Sequence, residues 1–151
     1  MSADDERWDV IVVGFGDAGA AAAIEAHDRG ARVLVIEAQS AGDHRPNSRY
    51  AAGFFIVPGD PAGAARYLRG LYAANGEDAD IDDALIDTWV TETCAIADWL
   101  DAHDCPHEPF AVPAEHADLA GADAIETRRI TYRSERPGCP LHAFLTDQVR
   151  A

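Results

Sequence analysis

Residues Trp8 to Glu37, WDVIVVGFGDAGAAAAIEAHDRGARVLVIE, decide the fold. Trp8 to Val13 is a short run rich in Val and Ile, the composition of a buried parallel strand. Gly14 to Gly19, GFGDAG, is a turn. Ala18 to Arg29 is rich in alanine, the strongest helix former, and Gly30 is placed to stop that helix. Arg32 to Ile36 is a second buried strand. Together they predict a β-α-β unit of parallel strands with a right-handed crossover.

Gly14, Gly16 and Gly19 form G-x-G-x-x-G. Alone the pattern is weak. Here it follows a strand, opens a helix, and precedes a second strand ending in Glu37, 37 − 19 = 18 positions after the last glycine. That is the context of a dinucleotide-binding fingerprint. Gly14 permits the turn out of the strand. Gly16 admits a pyrophosphate close to the backbone, and Gly19 lets the helix pack on the sheet. The helix N-terminus offers unpaired N–H groups to phosphate. Glu37 accepts from ribose hydroxyls and repels a 2′-phosphate, which argues against NADP. The fingerprint does not separate NAD from FAD.

Working outward, Ala38 to Arg49 reads as a polar loop, and Ala52 to Val57 as a short strand or extended segment. Asp60 caps a helix with Pro61 at its first position. Leu68, Leu71 and Tyr72 give that helix its apolar stripe, and Asn75-Gly76 ends it. A longer helix is expected from about Asp82 to His103, with Leu85, Trp89, Ile96, Trp99 and Leu100 near one face. Pro106 to Ala124 reads as irregular and Ile130 to Arg133 as a strand. Pro140 opens a last helix carrying Leu141, Phe144, Leu145 and Val149 on one side. The fold class is therefore α/β: a Rossmann-like FAD/NAD(P)-binding unit, incomplete, followed by helical segments. Two strands do not make a doubly wound sheet, so the chain is expected to be the N-terminal piece of something longer.

Composition narrows the function. The 151 residues carry 12 Lys and Arg against 27 Asp and Glu, a net charge of −15, and none of the twelve is lysine. That disfavours nucleic acid and anionic membrane surfaces, both of which need a cationic face. No stretch approaches the roughly 18 apolar residues of a spanning helix. Met1 to Arg7 is acidic and lacks a signal-peptide n-region, so a cytoplasmic protein is expected. Three cysteines, Cys94, Cys105 and Cys139, make neither a disulfide framework nor a zinc knuckle. Cys105, His107 and His103 lie close together without a second half-site, so no metal is expected. The six scattered histidines read as surface or loop residues.

From Trp8 onward the sequence resembles the FAD-binding domain of the fumarate reductase and succinate dehydrogenase flavoprotein superfamily. The likeness is greatest to its soluble branch of fumarate reductases, 3-ketosteroid dehydrogenases and tricarballylate dehydrogenases. WDVIVVGFGDAGAAAAIEA, VLVIEA and NSRYAAGFF (Asn47 to Phe55) carry it, and ADWLDAHDCPHEP extends it. The resemblance implies FAD held by Gly14, Gly16, Asp17, Ala18, Gly19, Glu37 and Ala38, with Asn47 and Ser48 near the phosphates. It implies Ala51, Ala52 and Gly53 where the backbone passes the flavin ring. It divides residues 1–151 into a dinucleotide unit (about 8–37), a flavin-wrapping segment (about 38–57) and a helical and irregular remainder (58–151). Membrane-bound relatives carry flavin on a histidine at the position of Asn47, and asparagine cannot form that bond, so FAD is expected to be non-covalent. Two features depart from the family: Arg45-Pro46 replaces Gly-Gly before the asparagine, and Phe54 follows Gly53.

The implied activity is FAD-dependent oxidoreduction, moving hydride across a C–C bond next to a carbonyl or carboxylate of a small-molecule substrate. The family's catalytic acid lies beyond the matched segments, so the catalytic residue is unassigned here. His103, Cys105, His107 and Tyr132 read as structural or surface groups. The isolated chain is expected to be inactive without a C-terminal portion. Two alternatives remain. One is an NAD-dependent dehydrogenase, against which NSRYAAGFF argues. The other is a truncated, inactive FAD-binding fragment or module.

Overall fold

The computed structural model describes residues 7–76, 81–135 and 138–151. The chain divides into two compact units, Met1–Gly53 with Tyr132–Ala151, and Phe54–Thr131.

In the first unit, β1 (Val10–Val13) and β2 (Val33–Ile36) pair in parallel with Val10 opposite Val33 and Val13 opposite Ile36. Helix α1 (Asp17–Asp28) connects them. Its buried residues are Ala20, Ala23 and Ile24. Small side chains on this face let the helix lie close to the strands, and Gly30 at φ 83° turns the chain out of it. Both strands were expected to be buried. Instead β1 alternates, and Ile11, Val13 and Ile36 are exposed, Val13 to 82%. The cause is that α1 covers one face of a two-stranded sheet, the face of Val12, while the other face has no helix upon it among the described residues. A 3-10 turn, Asn47–Tyr50, follows the loop after β2. Helix α4 (Pro140–Arg150) packs on α1 and buries His142, Ala143, Phe144, Leu145 and Thr146.

The second unit is a three-stranded antiparallel sheet of order β3-β5-β4 with two helices. Its strands are β3 (Phe54–Pro58), β4 (His107–Pro109) and β5 (Ile125–Ile130). Helix α2 (Pro61–Ala74) starts where Asp60 Oδ1 accepts the Ala62 N–H at 3.0 Å, as the Asp-Pro pair predicts. Helix α3 (Asp83–Ala102) is capped in the same way by Asp82. The core gathers Ala64, Ile86 and Val90, with Leu68, Tyr72 and Trp89 packed against it.

Three expectations for this unit are corrected. The buried face of α3 runs through Ile86, Val90 and Leu100, whereas Leu85 is 60% exposed. Ile86 and Val90 are four positions apart and so share a face, and Leu85 lies at its margin. The strand expected over Ile130–Arg133 lies earlier, at Ile125–Ile130. Its sequence IETRRI hides a strand because the ladder, rather than apolar alternation, fixes it: Ile125 pairs with Pro58 and Arg129 with Phe54. The expected irregular stretch contains β4 and a 3-10 turn, Ala122–Ala124.

The reading of the histidines as surface or loop groups also fails in part. His107 lies on β4 with a side chain 3% exposed, its Nδ1 accepting from Arg128 Nε at 2.9 Å. His142 is buried on α4. A polar partner makes each burial tolerable, Arg128 Nε at His107 Nδ1 and Asp17 Oδ1 at 3.0 Å from His142 Nδ1, and sequence spacing does not display such partners. Cys94, Cys105 and Cys139 are free thiols. No helix among the described residues is long and apolar enough to cross a membrane.

Candidate functional site

The glycine turn between β1 and α1 is built from three local constraints. Gly14 adopts φ 97°, a left-handed conformation that a Cβ would strain, and its N–H donates to Ile36 O at 2.7 Å, tying the turn to the end of β2. A Cβ on Gly19 would fall 2.1 Å from Gly14 O and 3.4 Å from Val12 Cγ1, so α1 can lie this close to β1 only with glycine there. The Ala20 N–H begins the helical ladder, donating to Gly16 O at 2.9 Å. The N–H groups before it lie beyond the helical ladder, at the positive end of its dipole.

Glu37 leaves β2 and reaches that turn. Its Oε2 accepts the Phe15 N–H at 2.8 Å and its Oε1 accepts the Gln39 N–H at 2.9 Å. These donors, Gln39 first and Phe15 second, hold its carboxyl below the ordinary range. Two amides thus fix the carboxylate beside the loop and leave acceptor capacity for hydroxyl donors, since a carboxylate offers about four lone-pair sites.

Ser48 comes to the same place from the 3-10 turn. Its Oγ accepts the Asp17 N–H at 3.0 Å, and a Cβ on Gly16 would meet that oxygen at 3.2 Å. Of the residues expected to bind cofactor, Gly14, Gly16, Asp17, Ala18, Gly19, Glu37 and Ser48 are therefore gathered around one helix end. Ala38, Asn47, Ala51 and Ala52 are exposed nearby in sequence, with no side-chain hydrogen bond drawing them to that end. Gly53 is buried at φ 75°, and a Cβ there would meet Pro140 Cδ at 3.2 Å. Its backbone passes the start of α4.

Sequence reasoning missed three members of this cluster. Phe15, 8% exposed, stacks on His44 with ring centroids 5.4 Å apart and 16° between planes. His44 Nε2 is buried without a hydrogen-bond partner, 3.7 Å from Glu37 Oε2. His142 Nδ1 lies 3.0 Å from Asp17 Oδ1, and its ring is 5.6 Å from that of His44. No local signal reveals the pairing of Asp17 with His142, which spans 125 positions. The second unit holds an apolar hollow of about 470 Å³ beside Phe55, Tyr67 and Trp89, and none of the fingerprint residues lines it.

The arrangement can hold a phosphate-bearing ligand. A helix end presents N–H groups, a serine hydroxyl sits over it, and a fixed acid stands at the neighbouring strand end. The model of the FAD binding domain family matches residues 9–151. The chain belongs to that family, within the fumarate reductase and succinate dehydrogenase flavoprotein superfamily. The family is one of FAD-dependent oxidoreductases, and its cofactor is FAD.

Among curated proteins, the chain is 60% identical over 45 residues to a 3-oxo-5-alpha-steroid 4-dehydrogenase of Comamonas testosteroni, covering 27% of this chain and 8% of that protein. It is 62% identical over 32 residues to an NADH:fumarate oxidoreductase of Klebsiella pneumoniae (strain 342), covering 21% of this chain and 4% of that protein. Two solved structures share the fold. One is a 3-ketosteroid-delta4-(5alpha)-dehydrogenase from Rhodococcus jostii RHA1, with TM-score 0.69 and 20% identity over 99% of this chain and 38% of that one. The other is a 3-ketosteroid delta1-dehydrogenase from Sterolibacterium denitrificans, with TM-score 0.69 and 22% identity over 82% of this chain and 23% of that one. The chain thus spans well under half the length of each of these relatives.

Proposed function

We propose that this chain is the FAD-holding part of an oxidoreductase whose remaining length supplies the catalytic groups. The observation that carries the reading is the convergence of Gly14, Gly16, Gly19, Glu37 and Ser48 on the N-terminus of α1, in a chain of the FAD binding domain family. The unit about 8–37 is the Rossmann-like dinucleotide unit, 38–57 is the flavin-wrapping segment, and 58–151 is the remainder.

The N–H groups of Gly16, Ala18 and Gly19 take pyrophosphate oxygens, aided by the helix dipole, while that of Asp17 holds Ser48 over the site. Ser48 Oγ, which accepts the Asp17 N–H in this structure, turns its own O–H to phosphate, and Asn47 adds an amide donor. Glu37 accepts from the adenosine ribose and excludes a 2′-phosphate by charge repulsion, with Ala38 following it. Ala51, Ala52 and Gly53 present backbone without bulk to the flavin. Binding is non-covalent, because Asn47 stands where a linking histidine would be needed. When bound, FAD supplies the exchange of hydride with a carbon of a C–C bond next to a carbonyl or carboxylate. The catalytic acid belongs to the rest of the enzyme, and the chain by itself turns over no substrate.

Purified protein titrated with FAD tests the reading. Bound-flavin absorbance that is released on denaturation supports it. A folded, colourless protein that ignores added FAD but binds NAD overturns it in favour of a nicotinamide dehydrogenase.

A further inference from the structure

The acid inside the fingerprint raises a problem that the fold answers. Asp17 is the first residue of α1, at the helix end where the cofactor's pyrophosphate is read to bind. A carboxylate there suits the helix dipole but repels phosphate. Its Oδ1 lies 3.0 Å from His142 Nδ1. An ionised carboxylate can only accept, so Nδ1 carries the proton and donates. His142 comes from the first turn of α4 and is 7% exposed, while the Asp17 side chain is 26% exposed. The histidine is thus the buried partner and the acid the half-open one.

We infer that His142 is a cofactor-positioning residue: it binds the Asp17 carboxylate, draws its negative charge away from the phosphate site, and thereby makes an acid tolerable within the glycine turn. Other charged or titratable groups face this pair. The His44 ring packs against both Phe15, at 5.4 Å, and His142, at 5.6 Å, while Phe15 and His142 are 6.4 Å apart, and Glu37 stands behind His44 with Oε2 3.7 Å from its Nε2. The Ser48 hydroxyl holds the Asp17 backbone while His142 holds its side chain, so the residue is fixed from both ends. The inference rests on the reading of this turn as the FAD phosphate site.

The test is a double-mutant cycle read as FAD affinity by flavin fluorescence, with thermal melts alongside. His142→Ala weakens FAD binding by about tenfold, the size of one charge interaction at a partly buried helix end. In an Asp17→Ala background the same change costs less than about twofold, because the charge to be compensated is gone. Asp17→Ala alone binds FAD at least as tightly as the wild type. His142→Asn, whose amide can donate from the position of Nδ1, retains most of the affinity.

A loss of equal size in both backgrounds makes His142 a packing residue of α4 and overturns the inference, while FAD binding by the wild type still stands. An Asp17→Ala protein that binds FAD tenfold more weakly overturns it too, and that variant leaves α4 intact should His142→Ala fail to fold. A folded wild type that binds no FAD sinks the cofactor reading and this inference together.

Discussion

Ser48 Oγ and the Asp17 N–H meet at 3.0 Å across 31 positions, so the helix that opens the glycine turn is capped by the loop that follows the next strand. Gly16 occupies the N-cap position and has no side chain to do this. The cap therefore joins the two sequence segments on which FAD binding is proposed to depend. Ser48→Ala removes it. The expected cost is about 1 kcal/mol, as for other lost helix caps. In a chain of this size that lowers Tm by about 2–4 °C. FAD affinity falls in the same variant, and Ser48→Thr restores both. An alanine variant with unchanged melting and unchanged affinity would show that this bond does no work.

Gly19→Ala tests the approach of α1 to β1. The added Cβ would lie 2.1 Å from a backbone oxygen, which cannot rotate aside as a side chain could. The helix must move, at a cost of about 1–3 kcal/mol typical of overpacking. The displacement also carries the N–H groups of the turn with it, so FAD binding should be lost more completely than stability. Circular dichroism melts and an FAD titration on one preparation separate the two effects. Stability and affinity both at wild-type levels would contradict the close packing.

How much of this could be read from the sequence depends on the range of the interaction. The strand, turn, helix and strand of residues 10–36 announce themselves because each is set locally, by Val-Ile runs, alanine and glycine. Asp60-Pro61 marks α2 for the same reason. β5 is not legible because its residues Ile125–Ile130 are held by strand partners on both sides rather than by their own alternation. The half-exposure of β1 is not legible either, because a Val-Ile run does not say how many faces will be covered. The place of His142 at the candidate site is hidden because its partner Asp17 lies 125 positions away.

Glu37 links the loop to pH. The N–H groups of Gln39 and Phe15 bond its ionised form and hold its carboxyl below the ordinary value of 4.5. A depressed carboxyl favours folding wherever the group is ionised. That contribution is complete above the unfolded value and is lost as pH falls through the lower, folded one. The loop should therefore loosen as pH falls below about 4.5, with the Phe15 amide losing protection from hydrogen exchange. Glu37→Gln flattens the acid limb of a melting-temperature profile taken downward from pH 6. An acid limb as steep in Glu37→Gln as in the wild type would place the sensitivity elsewhere.

Cys105 gives the opposite sign. It is 2% exposed at the end of α3, and burial first, with the charge of Asp101 second, pushes its thiol up to about 12. The thiolate is the reactive form, so native protein treated with iodoacetamide near pH 8 should leave Cys105 unmodified while Cys94, which is only half-buried, reacts. Unfolding in guanidinium should make the two equal. The same shift predicts alkaline behaviour. Once unfolded, the thiol ionises near its ordinary value of 9, whereas the folded one does not until about 12. The unfolded state then binds fewer protons, and stability declines as pH rises between those values. Cys105→Ala should lose that part of the decline. Peptide mass spectrometry showing Cys105 alkylated as fast as Cys94 in the native state would mean that the turn after α3 opens on its own.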